Sequence, residues 1–118
     1  MSVTAFAFGN TTPTVGTETF LPDANGINVA GSFTFHTSTH NMVSGDVLEI
    51  RLYQKIVTGG TSRVAYFARY TDAQPTDDLV KISVPISNDF TENNALQVSI
   101  TQTYGTARAF PWKILRYA

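Results

Sequence analysis

Residues 47–56 read VLEIRLYQKI, and their period-two alternation of apolar and polar side chains constrains the chain more than any other feature. Leu48, Ile50, Leu52 and Ile56 fall on one side, with Glu49, Arg51, Tyr53 and Lys55 on the other. An amphipathic helix would repeat its apolar residues every three or four positions, whereas a strand sends successive side chains to opposite faces. The same period returns in LVKISVPIS, where it predicts Val80, Ile82, Val84 and Ile86 facing inward. It returns again in LQVSITQ with Leu96, Val98 and Ile100, and in GSFTFHT with Phe33 and Phe35. Strands with one apolar and one polar face belong to antiparallel sheets covered on one side. Packing two such sheets face to face buries both apolar sides.

The expected fold is therefore all-β: an antiparallel two-sheet β-sandwich of about eight strands, jelly-roll or Ig-like in order. The strands are predicted at 3–8, 17–20, 28–37, 47–57, 62–71, 79–86, 96–104 and 107–117. Turn residues lie between them: Gly9-Asn10 with Pro13, Pro22 to Gly26, Ser44-Gly45-Asp46, Gly59-Gly60, Asp72 to Asp78, and Gly105-Thr106. The best place for a short helix is 88–95, with Ser87 as its cap. The 118 residues suit one domain. Alternation is weak in residues 1–27, apart from Phe6 and Phe8. That segment reads either as an arm crossing to a neighbouring subunit or as an irregular first strand of the same sandwich.

Register is predictable at two places. A Thr58-Gly59-Gly60 loop with Gly60 left-handed pairs Leu52 with Tyr66, Ile50 with Ala68 and Leu48 with Tyr70, and sets Glu49 opposite Arg69. A two-residue Gly-Gly loop would instead oppose Ile50 and Arg69, mixing core with surface. At the end of the chain, a hairpin around Gly105 would let Leu96, Val98 and Ile100 share a face with Phe110, Trp112 and Ile114. Pro111 has no N–H for a ladder, so 107–117 is expected to be an edge strand or to bulge there. Trp112, the lone Trp, is expected to be a core anchor.

Charged residues make up only 14 % of the chain, against an average of about 25 %. The eight basic residues form no run, and the net charge is −1, so a phosphate backbone is a poor partner. With no cysteine, neither disulfides nor thiol chemistry enter. The stretch MSVTAFAFGN lacks the basic and apolar regions of a signal peptide, and no apolar run is long enough to span a membrane. Synthesis in a cytoplasm is the expectation.

No motif for nucleotide, zinc or acyl-transfer chemistry occurs. His36 and His40 stand four apart, a spacing that would share a face on a helix but loses its meaning on a strand and its following loop. DAQPTDD and NDFTEN are acidic but do not follow the order of a calcium loop, so turn formation is their expected role. No catalytic, metal or cofactor residue is singled out. The candidate contact residues are Phe6, Phe8, Tyr53 and Phe67, with Tyr53 and Phe67 equally readable as core.

MVSGDVLEIRLYQKIVTGGTSRVAYFARYTDAQ, KISVPISNDF and RAFPWKILRY together resemble a group of small proteins encoded beside structural genes of tailed bacteriophages, over roughly residues 27–117. The resemblance implies a virion component. For a cysteine-free β-sandwich it implies a capsid decoration (cement) protein on the capsid surface, made in the host cytoplasm. Its partners would be the major capsid protein and further copies of itself, as a trimer or dimer. A tail, neck or fibre module binding glycans is the alternative, and a small enzyme is a third. The resemblance maps no functional residue onto this chain.

Overall fold

The computed structural model describes residues 2–118, which form nine strands in two antiparallel sheets. The strands are β1 (Val3–Thr11), β2 (Thr19–Leu21), β3 (Gly31–Ser38), β4 (Val47–Gln54), β5 (Arg63–Thr71), β6 (Val80–Ile82), β7 (Ile86–Asn88), β8 (Leu96–Tyr104) and β9 (Phe110–Tyr117). Sheet A runs β1-β9-β3-β6, with β7 also paired to β3; sheet B runs β2-β8-β4-β5. β6 and β7 occupy the place of a single strand broken at Val84-Pro85, where proline supplies no ladder donor. Counted as one, they give eight strands whose successive members alternate between sheets, except at the β4–β5 hairpin within sheet B, in the jelly-roll order. Of the two orders left open by the sequence, the structure takes this one.

The core lies between the sheets. Phe33, Phe35, Phe110, Trp112 and Ile114 face it from sheet A; Leu48, Ile50, Leu52, Leu96, Val98 and Ile100 face it from sheet B. Burying side chains of this size stabilises the fold by about 1.5–3 kcal/mol each. The β4–β5 register matches the expected one, pairing Leu48 with Tyr70, Ile50 with Ala68, Leu52 with Tyr66 and Glu49 with Arg69. Glu49 meets Arg69 at 3.9 Å and Arg51 at 2.9 Å.

The structure corrects six expectations. First, the single strand expected at 79–86 is two, β6 and β7, which brings the expected number of about eight to nine. Second, the expected three-residue loop is longer: β4 stops at Gln54 and β5 starts at Arg63, after a register shift between Leu52 and Tyr53. The left-handed residue is Gly59 (φ 75°), held where Glu92 accepts its N–H at 3.0 Å; Gly60 is not left-handed.

Third, β8 and β9 do not form a hairpin. They belong to different sheets, and 105–109 crosses between them. Their apolar residues do meet in one core, but from opposite walls, which the alternation alone satisfies equally well. The crossing is clamped from within. The Gln102 amide, fully buried, donates to the carbonyls of Tyr104 (3.0 Å) and Thr106 (2.7 Å) and accepts from Arg108 N–H (3.0 Å). Asp46, 1 % exposed, accepts from Val43 N–H and from Arg108 Nε, both at 2.9 Å.

Fourth, β9 is an interior strand, flanked by β1 and β3, and the irregularity lies in β1 between Ala5 and Ala7. Pro111 pairs with Asn10 of β1 but stands one residue beyond the last β3–β9 pair, Thr37 with Trp112, so no ladder pair is made to it from β3. Its carbonyl instead accepts from Thr37 Oγ1 at 3.0 Å. Fifth, 88–95 holds turns and no helix: Asn88 completes β7, and its amide donates to Val29 and Phe90 carbonyls. Sixth, β6 presents the opposite face to that expected. Val80, Ile82 and Val84 are exposed, and Lys81 and Ser83 are buried.

That inversion has a physical cause. Ser83 Oγ accepts Phe35 N–H at 2.9 Å, while Ser83 N–H donates to Phe35 carbonyl at 2.9 Å, so an inward serine carries the pairing past the end of β6. Lys81 lays its stem inside and ends 2.9 Å from Asp78 and 4.8 Å from the Tyr70 ring centroid. A buried lysine is tolerated when its charge meets a carboxylate and a ring face in this way. Residues 3–27 pair within this chain: β1 with β9, β2 with β8, and Ile27 with Leu96.

Candidate functional site

The inverted face of β6 extends an apolar surface across the outside of sheet A. Ladder pairing puts Phe8, Lys113, His36 and Ile82 in one row across four strands. The next row holds Asn10 and Pro111 at one side and Ser38 with Val80 at the other; a third holds Ala5, Leu115 and Thr34. Phe8 is 78 % exposed, and Val80, Ile82 and Val84 each exceed 50 %. The first two rows border a shallow depression of about 430 Å³, lined by Phe8, His36, Ser38, Val80, Pro111 and Lys113, with Trp112 also at its margin. Neighbouring exposed apolar side chains of this kind make the face a candidate contact surface.

The polar side chains of these rows are Asn10, Thr34, His36, Ser38 and Lys113. Thr34 Oγ1 lies 2.8 Å from His36 Nε2 and 3.1 Å from Tyr117 Oη, a chain of three groups along the sheet. Burial lowers the His36 pKa from its ordinary value, and the neighbouring Lys113 cation lowers it further. A hydroxyl against an imidazole is the geometry of a nucleophile with its base. Here Thr34 is only 5 % exposed, and the third member of the chain is a phenol rather than a carboxylate. The chain of bonds orders the face and holds the His36 ring beside Lys113.

Of the four sequence-predicted contact residues, Phe8 alone belongs to this face. Phe6, two positions earlier but across the β1 irregularity, turns inward and meets Phe33 edge-on at 5.5 Å. Tyr53 and Phe67 lie on the outside of sheet B. Tyr53 is half-buried, donates to Glu18 Oε2 at 2.6 Å and packs 5.9 Å from Phe20. Its pKa is raised by burial and by that carboxylate. Phe67 is 48 % exposed beneath the Arg51 guanidinium, 4.9 Å from the ring centroid. The structure thus separates the four residues among three surroundings. Val80, Ile82 and Val84 were missed because period two assigns side chains to faces without saying which face is inside.

The two histidines do not converge. His36 bonds to Thr34, and His40 Nδ1 lies 2.7 Å from Ser38 Oγ. The acidic segments tie turns: Asp72 accepts Gly45 N–H at 2.8 Å, and Glu92 accepts Gly59 N–H. Among the described residues no group of three His, Cys, Asp or Glu side chains is placed to hold a metal ion. Among the described residues no helix is long and apolar enough to cross a membrane. Comparison with protein-family models, curated proteins and solved structures finds no match.

Proposed function

We propose that this chain is a virion structural protein of the decoration type, which binds the major capsid protein on the outside of a shell and stabilises it as a homo-oligomer. The observation that carries the reading is the outer face of sheet A. Phe8, Val80, Ile82 and Val84 stay exposed there, and the residues that would ordinarily face solvent, Lys81 and Ser83, are drawn inside. A strand that exposes its aliphatic side chains forgoes about 1.5–3 kcal/mol of burial for each. Contact with a partner restores that burial. Jelly rolls serve as capsid and lectin domains, an analogy of fold that supports the reading without carrying it. Repetition on a symmetric shell multiplies a modest contact through avidity.

The test is direct. Shells are heated with and without the protein, and with a Phe8→Ser/Ile82→Ser double variant. Wild-type protein is expected to raise the temperature of shell rupture, and the variant to leave it unchanged. Equal rupture temperatures with and without wild-type protein refute the reading. Phe67 and Tyr104, exposed away from sheet A's outer face, favour a second reading as a glycan-stacking tail module. Copy number separates the two: hundreds of copies per particle for decoration, about a dozen or fewer for a tail component.

A further inference from the structure

Lys113 sits at the centre of the exposed face, in the row between Phe8 and His36. It makes no salt bridge among the described residues, whereas Arg51, Lys55, Arg69, Lys81 and Arg108 each meet a carboxylate. The face has no acid of its own. All nine Asp and Glu residues of the chain fall at other positions, as the ladders that build the face show. The result is one cation at a depression of about 430 Å³, with Phe8 on the β1 side and Val80 on the β6 side. Next to it His36 is held toward its neutral form by burial and by the same lysine.

We propose that this depression receives an acidic residue of a partner protein. The carboxylate of an Asp or Glu in an otherwise apolar segment pairs with Lys113 Nζ, and the flanking apolar side chains rest on Phe8 and Val80. The charge count selects this occupant. A membrane surface is held by clusters of four to eight cations, and a nucleic-acid backbone by a concentrated basic face. One lysine between two apolar walls matches one carboxylate between two apolar side chains. The proposal rests on the reading of sheet A's outer face as the docking surface and adds the chemistry of what docks.

Two acetylated, amidated peptides test it: Ala-Leu-Glu-Phe-Ala, and the same peptide with Gln at its centre. Each is titrated into the full-length ¹⁵N-labelled protein and followed by amide shifts. Shifts are expected around Phe8, His36, Val80 and Lys113. The Glu peptide is expected to bind about 1.4- to fivefold more tightly than the Gln peptide, the range of an exposed ion pair. Lys113→Met keeps the stem and removes the charge, so it should erase that preference; molar salt should weaken it through screening. Equal affinities with shifts still on this face refute the carboxylate site and leave the docking surface standing. Shifts elsewhere, or none at millimolar peptide, refute both. Binding to vesicles rich in phosphatidylserine that Lys113→Met abolishes, without peptide shifts, assigns the lysine to lipid and also overturns the proposal.

Discussion

Trp112 and Gly9 face one another across the β1–β9 ladder, and their coupling has a predictable sign. The indole is 9 % exposed within the core cluster, and its Nε1 donates to Thr11 Oγ1 at 3.0 Å. A Cβ added to Gly9 would stand 3.0 Å from Trp112 Cζ2, closer than van der Waals contact. Gly9 is not among the residues with positive φ, so its backbone accepts alanine; the indole alone excludes it. Trp112→Ala should cost about 3–5 kcal/mol. An unfolding entropy of about 2.1 cal/mol/K per residue makes each kcal/mol worth about 4 °C in a chain of 118 residues. The midpoint should therefore fall by about 12–20 °C. Gly9→Ala alone overpacks the site and should cost about 1–3 kcal/mol. In the Trp112→Ala background the same change has room and should stabilise by about 0.4–1 kcal/mol, through the unfolded chain. Urea unfolding followed by far-ultraviolet circular dichroism gives all four corners of the cycle without relying on the tryptophan signal. A coupling below about 0.5 kcal/mol would mean that the two sites act independently. That result would refute the packing argument, as would Trp112→Ala unfolding within about 1 kcal/mol of wild type.

Four further outcomes follow from the same contacts. Ile82→Thr, although it breaks an apolar period, should change stability by less than about 0.5 kcal/mol in urea unfolding, because the side chain is exposed. Asp46→Ala should cost about 3–5 kcal/mol, since it strips Arg108 and Val43 N–H of a buried acceptor; a smaller loss in thermal unfolding would mean water replaces the carboxylate. His36 titrates in the folded chain below its ordinary 6.5, so between those two values the unfolded chain binds more protons. Stability should therefore fall as pH drops through that window, Lys113→Met should raise the imidazole pKa in an NMR titration, and His36→Gln should flatten the slope. Burial, with Tyr66 and Asp78 adding to it, pushes the Tyr70 phenol up to about 12, so its contribution is whole below pH 10 and lost as pH rises from there to about 12. Phenolate absorbance should show a tyrosine that titrates near 12 and is absent in Tyr70→Phe.

The sandwich was legible because alternation is a local property and most of this chain obeys it. The β4–β5 register was legible too, because a one-residue slip would have opposed Ile50 and Arg69. What alternation does not encode is the partner of each strand. Leu96, Val98 and Ile100 needed to share a core with Phe110, Trp112 and Ile114, and both a hairpin and a crossing between sheets achieve that. The choice lies in polar side chains that look unremarkable in sequence. Gln102 and Asp46 hold the 105–109 crossing through backbone groups and Arg108. The helix expected at 88–95 failed for a related reason: Asn88, a residue that caps and turns, spends its amide on the carbonyls of Val29 and Phe90.

The functional proposal grows from the one strand where the local rule gives the wrong answer. Read alone, Val80, Ile82 and Val84 belong inside, and an outward lysine and serine would be ordinary. The fold inverts this because Ser83 is needed to bond Phe35 and Lys81 reaches Asp78 and Tyr70 through the interior. Natural sequences mostly keep local pattern and global packing in agreement, and departures concentrate at functional positions. Here the departure adds Val80 and Ile82 to a face that already carries Phe8 and an unpaired Lys113. A purely structural account explains the inward Lys81 and Ser83. It does not explain why the three residues turned outward are all aliphatic, where Thr or Ser would keep β-propensity and avoid exposed apolar surface. The proposed docking partner would account for that choice. Replacing Val80, Ile82 and Val84 together by Thr should leave the unfolding midpoint nearly unchanged and abolish shell binding. If binding survives that triple change, the inversion is a solution to packing alone.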